Sequence, residues 1–228
     1  QVESTLLKNA DQRTGFSIAL AEKDSLLREI HDRVYDNLGT LTSLLSIQSD
    51  KYSDPVILNI LGENERRITS IALVHERLYQ SSEVKRVAMG EYADALLSTL
   101  YRKLVSQELE INLVKDLGQF DLTIDLAVPC GLIINELFSN ALIHGFEGRQ
   151  QGSGTVEVKL YLLAKECVIF VSDNGRGLPI EVNAEAGSMG FEIVSILIEQ
   201  LEGSFRLIGG QGTTFEVRFP VSVDEIAD

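Results

Sequence analysis

Apolar residues recur at Phe16, Leu20, Leu27, Ile30, Val34, Leu38, Leu41 and Leu45. The steps are three, four or seven residues, the seam of a coiled coil or helical bundle. Ser53-Asp54-Pro55 breaks the run and supplies a fresh helix start, with Asp54 placed to cap it and Pro55 in its first turn. The second helix carries Ile57, Ile60, Leu61, Ile68, Ile71, Leu78 and Tyr79. Two long helices joined by a short loop make an antiparallel hairpin, which cannot bury its apolar faces alone. It needs a partner, most simply a second copy that completes a four-helix bundle.

The texture changes near Ser81–Glu83. Beyond that point the pattern predicts a helix over 90–106, a strand with alternating Leu109, Ile111 and Leu113, and a short strand near 122–124. A helix over 129–145 follows, with Pro129 in its first turn. Strands are predicted over 155–163, 167–172, 204–208 and 214–219, with a helix over 191–201 among them. The strands come in neighbouring runs rather than in strict alternation with helices, so an α/β sandwich is favoured over a doubly wound sheet. The fold class is α+β in two domains, the hairpin over 23–82 and the sandwich over 83–228, with 1–22 as a linking helix.

Of the 228 residues, 44% are hydrophobic and the net charge is −14. A core is within reach, and a nucleic-acid partner is disfavoured because phosphate binding relies on Lys and Arg. Cys130 and Cys167 lie in apolar runs and read as reduced core thiols of a cytoplasmic protein. No apolar stretch approaches the ~20 residues that span a bilayer, so no membrane contact is expected of this segment. The chain opens at Gln1 without Met, which suggests that something upstream has been removed.

Several residues carry chemistry. His31, beside Asp32, lies on the first helix. An imidazole can attack a γ-phosphoryl group when a neighbouring base holds or removes the proton on its second nitrogen. Glu136 and Asn140 are four apart on one helix face, and their oxygens suit Mg²⁺. Asp173-Asn174-Gly175-Arg176-Gly177 follows an apolar strand. A carboxylate at a strand end can accept a hydrogen bond from the exocyclic amine of adenine, and the glycines would let backbone approach a flat ring. Gly187-Ser188-Met189-Gly190 precedes a helix whose free N–H groups suit a phosphate. Gly212-Thr213 opens a strand. Taken singly, each of these also fits a solvated helix face or an ordinary turn.

Their order is harder to set aside. An Asn-bearing helix, Asp-x-Gly-x-Gly, a glycine loop, a helix and a Gly-Thr strand follow the order of the Bergerat ATP-binding fold. Residues 83–228 thus resemble the ATP-binding domain of the superfamily that unites gyrase, heat-shock chaperones, histidine kinases and MutL. Leu26-Leu27-Arg28-Glu29-Ile30-His31-Asp32-Arg33-Val34-Tyr35-Asp36-Asn37-Leu38 resembles the phosphoacceptor signature of one sensor histidine kinase subfamily.

The resemblance implies that His31 is the phosphoacceptor, with Asp32 and Glu136 assisting, and that Asn140 and Glu136 hold Mg²⁺. It implies that Asp173 binds the adenine of ATP with Gly175 and Gly177 lining its pocket. Asn140 and His144 would contact the bound nucleotide, Gly187 and Gly190 would border its phosphates, and Thr213 would close the base site. His75 also matches the family pattern and reads as structural. Ile143 and Tyr35 depart from it, standing where the subfamily commonly has Lys in each case, and the loop 178–187 is short for an ATP lid.

The expected activity is autophosphorylation on His31, then transfer to an aspartate of a response-regulator receiver domain. The expected partners are that receiver, an upstream sensor domain feeding 1–22, and a second copy in a homodimer; the full-length protein could be membrane-anchored. Two other readings stay open: an ATPase of the gyrase or MutL kind, and a non-catalytic ATP-binding scaffold.

Overall fold

The computed structural model describes residues 29–30, 32–80, 86–105, 110–146, 153–177, 189–210 and 212–222. The linking segment 1–22, the expected domain boundary and the loop 178–187 lie outside the described residues, as do His31 and Gly187.

Helix α1 covers 32–49 and α2 covers Pro55–Gln80. Asp54 caps α2 as its sequence suggests, its carboxylate accepting the Val56 N–H at 2.8 Å. Val34, Leu38 and Leu45 are half-buried, whereas Ile30, Leu41, Leu44 and Ile47 are exposed. One apolar stripe of α1 is therefore covered within this chain and a second is not.

The C-terminal half of α2 lies against the rest of the molecule, packing on strand β1 (Arg86–Ala88), helix α3 (Met89–Leu104) and helix α4 (Ile124–His144). Val74 and Ser70 are fully buried there. The Tyr92 hydroxyl of α3 donates to the Ser70 carbonyl at 3.1 Å, and Lys103 of α3 pairs with Glu65 of α2 at 2.7 Å. Gly131 on α4 makes room for that tyrosine, since a Cβ there would fall 1.7 Å from the Tyr92 hydroxyl.

Beyond the helices, β2 (Glu110–Leu117), β4 (Ser153–Leu163), β5 (Glu166–Asp173), β7 (Gly212–Pro220) and β6 (Ser204–Gly210) form one sheet in that order. Only β2–β4 is parallel. A separate small ladder joins β1 to β3 (Asp121–Thr123) antiparallel. Along β4, Gly154, Val156, Val158 and Leu160 are buried and alternate with half-exposed residues, the pattern of a sheet with one covered face. Helices α3, α4 and α5 (Met189–Gln200) supply the cover. This is the α/β sandwich read from the sequence.

Two readings are corrected. Helix α4 begins at Ile124, five residues before Pro129, so the proline is internal. It forfeits one backbone hydrogen bond near the helix start, where the turn before it is still short of partners. That longer α4 is also long and apolar enough, by length and composition, to cross a membrane, contrary to the reading that no stretch approaches that length. Its apolar surface is spent on the core, with 72% of the apolar window buried.

Candidate functional site

Asp173 ends β5 at the centre of the sheet, in register with Val156 of β4 on one side and Thr213 of β7 on the other. Its side chain is 8% exposed. The carboxylate accepts the Gly175 N–H at 2.8 Å, which bends the chain into a tight turn. Asn174 fixes that turn to the edge of β4, its side-chain oxygen accepting the Thr155 N–H at 2.8 Å. The Arg176 N–H donates to the Gly145 carbonyl at 2.8 Å, which ties the turn to the C-terminal end of α4. Helix end and strand end are thus pinned around one buried carboxylate.

The glycines serve this packing. A Cβ on Gly175 would lie 2.1 Å from the Gly145 carbonyl oxygen, and one on Gly212 would lie 1.9 Å from the Asp173 carbonyl oxygen. Gly212 also has φ +100°, and Gly177 φ 74°, both in the left-handed region that favours glycine. The sequence reading places the Asp-x-Gly-x-Gly glycines close to a ligand ring; at Gly175 the close neighbour is the protein's own backbone, as it is at Gly212 beyond the motif. Thr213 is buried beside Asp173, and Gly190 is buried in the first turn of α5. The Phe191–Phe215 ring pair, 5.3 Å between centroids, fixes the start of α5 against β7.

On α4, Glu136, Asn140 and His144 stand at spacings of four, yet their surroundings differ. His144, in the last turn, is exposed. Asn140 is half-buried, and its Nδ2 is buried with no hydrogen-bond partner among the described residues. Such an orphaned donor marks a place where an acceptor on a ligand, such as a phosphate oxygen, would complete the site. Its amide oxygen suits Mg²⁺, which binds through few protein groups and takes its other ligands from phosphate and water. Among the described residues no cluster of three His, Cys, Asp or Glu side chains could hold a metal alone.

Glu136 is different. It is 6% exposed and faces α2, where Arg67 donates through Nε to Oε1 at 2.7 Å and through Nη2 to Oε2 at 3.0 Å. Asn135 Nδ2 adds a third donor to Oε1 at 3.0 Å. The hydrogen bond to Glu136 raises the Arg67 pKa, against the opposing effect of burial, while burial lowers that of Arg66. Arg67 was not anticipated from the sequence. The available signal was a pair of arginines, Arg66 and Arg67, inside an otherwise amphipathic helix, where one must face inward.

Asp32 is exposed on α1. The His75 side chain lies outside what is described, like His31 and Gly187. Cys130 and Cys167 are both fully buried and unbridged. Their mutual hydrogen bond, then burial, raises the Cys130 pKa well above its usual value.

Comparison with known proteins agrees with this arrangement. A family model described as histidine kinase matches residues 29–104. A second, described as histidine kinase-, DNA gyrase B- and HSP90-like ATPase, matches 127–223. The sensor histidine kinase PdtaS of Mycolicibacterium smegmatis is 35% identical over 208 residues, 89% of this chain and 41% of that protein. Blue-light-activated histidine kinase 2 of Erythrobacter litoralis is 26% identical over 88% of this chain and 58% of that protein. The chain therefore spans about 41–58% of the length of these curated relatives. Among solved structures, the histidine kinase domain of an Erythrobacter litoralis blue-light activated histidine kinase superposes with a TM-score of 0.64 at 19% identity, covering 82% of this chain and 94% of that one. At that identity the superposition shows the fold.

Proposed function

The chain belongs to the histidine kinases, and on that footing we propose that it binds Mg²⁺-ATP in its α/β domain, transfers the γ-phosphoryl group to His31, and hands it on to an aspartate of a receiver domain. The observation that carries the reading is the buried Asp173 carboxylate, held by the Gly175 N–H and facing Thr213 across the sheet, next to a helix whose Asn140 donor has no partner. A buried acceptor fixed at a strand end selects a base that presents an amine. Asn140 is the residue that would hold Mg²⁺, and the ion would neutralise charge on the phosphates. The buried first turn of α5, with Gly190, offers backbone N–H groups to them, joined by Gly187 and by His144. Gly177 borders the base.

In the transfer itself, one ring nitrogen of His31 bonds to the γ-phosphorus as the bond to the ADP oxygen breaks. The second ring nitrogen gives up its proton to a carboxylate, Asp32 or Glu136. Positioning and charge neutralisation carry most of such a reaction.

The exposed Ile30, with Leu41, Leu44 and Ile47 on α1 and Val56 and Ile60 on α2, supports a second copy closing a four-helix bundle. The receiver would dock on the same hairpin near His31, and an upstream sensor would act through 1–22. The fold divides, in this reading, into a linker over 1–22, a phosphotransfer hairpin over 23–82 and an ATP-binding domain over 83–228, working in the cytoplasm.

The test is incubation with γ-labelled ATP and Mg²⁺, comparing the native chain with His31→Gln. Acid-labile, base-stable label on the native chain alone is expected. Absence of label on both, with ATP still bound, would overturn the autokinase reading.

A further inference from the structure

One of the polar contacts that join the hairpin to the ATP-binding domain uses a residue that the proposed function needs elsewhere. Both Glu136 oxygens are occupied, by Arg67 at 2.7 and 3.0 Å and by Asn135 at 3.0 Å, at 6% exposure. A carboxylate whose two oxygens already accept three hydrogen bonds, two from one guanidinium and one from an amide, has few lone pairs left to offer a proton or a metal ion.

Arg67 has a second carboxylate within reach. Glu63, one turn earlier on α2, lies 3.5 Å from Nη2 and is more exposed than Glu136, 26% against 7% for the side chains. If α4 lifts away from α2, the guanidinium can turn to Glu63 and no charge is left both buried and unpaired, which is the usual obstacle to breaking an inter-element ion pair. One turn further along α4, the Asn140 donor is buried without a partner among the described residues, so the polar stripe of α4 is incompletely served in the packed arrangement.

We propose that Arg67 is a positioning residue that shuttles between two carboxylates: on Glu136 it clasps the ATP-binding domain to the hairpin and withholds Glu136 from the reaction, and on Glu63 it lets Glu136 go. The proposal rests on the reading that Glu136 serves the ATP site. Its consequence is a resting state in which the kinase is held inactive by the same side chain that sets how the two parts pack.

The two carboxylates give opposite signs, which a merely structural role for Arg67 would not. Arg67→Gln opens the clasp, and initial autophosphorylation rates at saturating ATP should rise roughly fivefold or more. Glu63→Gln removes the landing partner and keeps Arg67 on Glu136, so the rate should fall by a similar factor. Arg67→Lys, a single charged donor in place of a fork, should lie between native and Arg67→Gln.

Spin labels on Ser46→Cys and Glu199→Cys, both at exposed positions, report the packing without requiring activity; Cys130 and Cys167 are buried away from the reagent. The distance distribution should lengthen and broaden in Arg67→Gln and narrow in Glu63→Gln. Opposite shifts in distance with no phosphorylation in any variant would uphold the clasp and sink the autokinase reading. Equal-sign changes in both variants, or an unchanged distance in Arg67→Gln, would overturn the clasp. Should Arg67→Gln not fold, Glu63→Gln alone decides: an unchanged or increased rate and an unchanged distance overturn it.

Discussion

Asp173→Asn is the substitution that most directly interrogates the nucleotide site. The two side chains are the same size, so packing around this 8%-exposed position is preserved. The Gly175 N–H, 2.8 Å from the carboxylate, dictates how an amide must orient. Its oxygen has to meet that donor, which turns the NH₂ group toward the position assigned to the adenine amine. A donor then faces a donor where a charged acceptor stood. Hydrogen bonds to a charged group contribute about 1.5–3 kcal/mol, so the Kd for ATP should rise roughly 10- to 160-fold.

The same geometry makes a sharper claim. Inosine triphosphate carries a carbonyl oxygen in place of the amine, and the new NH₂ can donate to it. The preference for ATP over ITP should therefore fall by at least about tenfold, a ratio in which lost charge and general destabilisation cancel. Titration calorimetry with both nucleotides, alongside a melting curve, measures it. Equal losses for ATP and ITP in a variant that melts like the native chain would refute the assignment of Asp173 to the base.

Three further outcomes follow from the packing. Gly131→Ala places a methyl 1.7 Å from the Tyr92 hydroxyl; overpacking of this kind costs about 1–3 kcal/mol, enough to lower the melting temperature by roughly 2–10 °C in a calorimetric scan. Cys130 and Cys167 are buried, and the Cys130 thiol is held up by its hydrogen bond to Cys167 and by burial. At pH 8 both should resist Ellman's reagent until denaturant is added, and prompt reaction of the native chain would contradict the core placement. Lys165 has φ 73° in the β4–β5 turn, and its carbonyl oxygen accepts the Val221 N–H at 2.8 Å. Lys165→Gly keeps that bond and relieves the left-handed strain, so denaturant unfolding should show a gain of about 1 kcal/mol.

What could be read in advance was local. Helical and two-residue periodicities placed the main helices and strands, and Asp54-Pro55 marked the start of α2 because capping chemistry is written in adjacent residues. Strand β1 went unread because three residues, Arg86–Ala88, carry no period, and they become a strand only by pairing with Asp121–Thr123. The β4–β5 turn was silent for a related reason. Ala164 and Lys165 both adopt positive φ without the Gly or Asn that would announce it, because the flanking ladder imposes the turn. The Arg67–Glu136 pair spans 69 positions, and only packing of α2 on α4 brings it together. The four-residue spacing of Glu136 and Asn140 correctly placed them on one side of a helix. It could not say that the middle of the helix, carrying Glu136, is covered by α2 while the end carrying His144 is open.

The glycines around Asp173 test how far motif reading can be trusted. A glycine beside a ligand and a glycine beside another backbone leave the same mark on a sequence, yet their alanine variants should fail differently. At Gly212 an added Cβ meets the Asp173 carbonyl oxygen at 1.9 Å and the residue has φ +100°. The conformational penalty of about 1–2 kcal/mol for a non-glycine residue and an overpacking cost of about 1–3 kcal/mol act together. Gly212→Ala should thus lose roughly 2–5 kcal/mol, a large share of the stability of an ordinary domain. The loss should show in denaturant unfolding with no nucleotide present, and the folded fraction should retain the native ATP-to-ITP preference because Asp173 still offers its carboxylate. A Gly212→Ala variant that unfolds like the native chain but no longer binds ATP would mean that this glycine faces the nucleotide after all, and that the backbone contact with Asp173 is incidental.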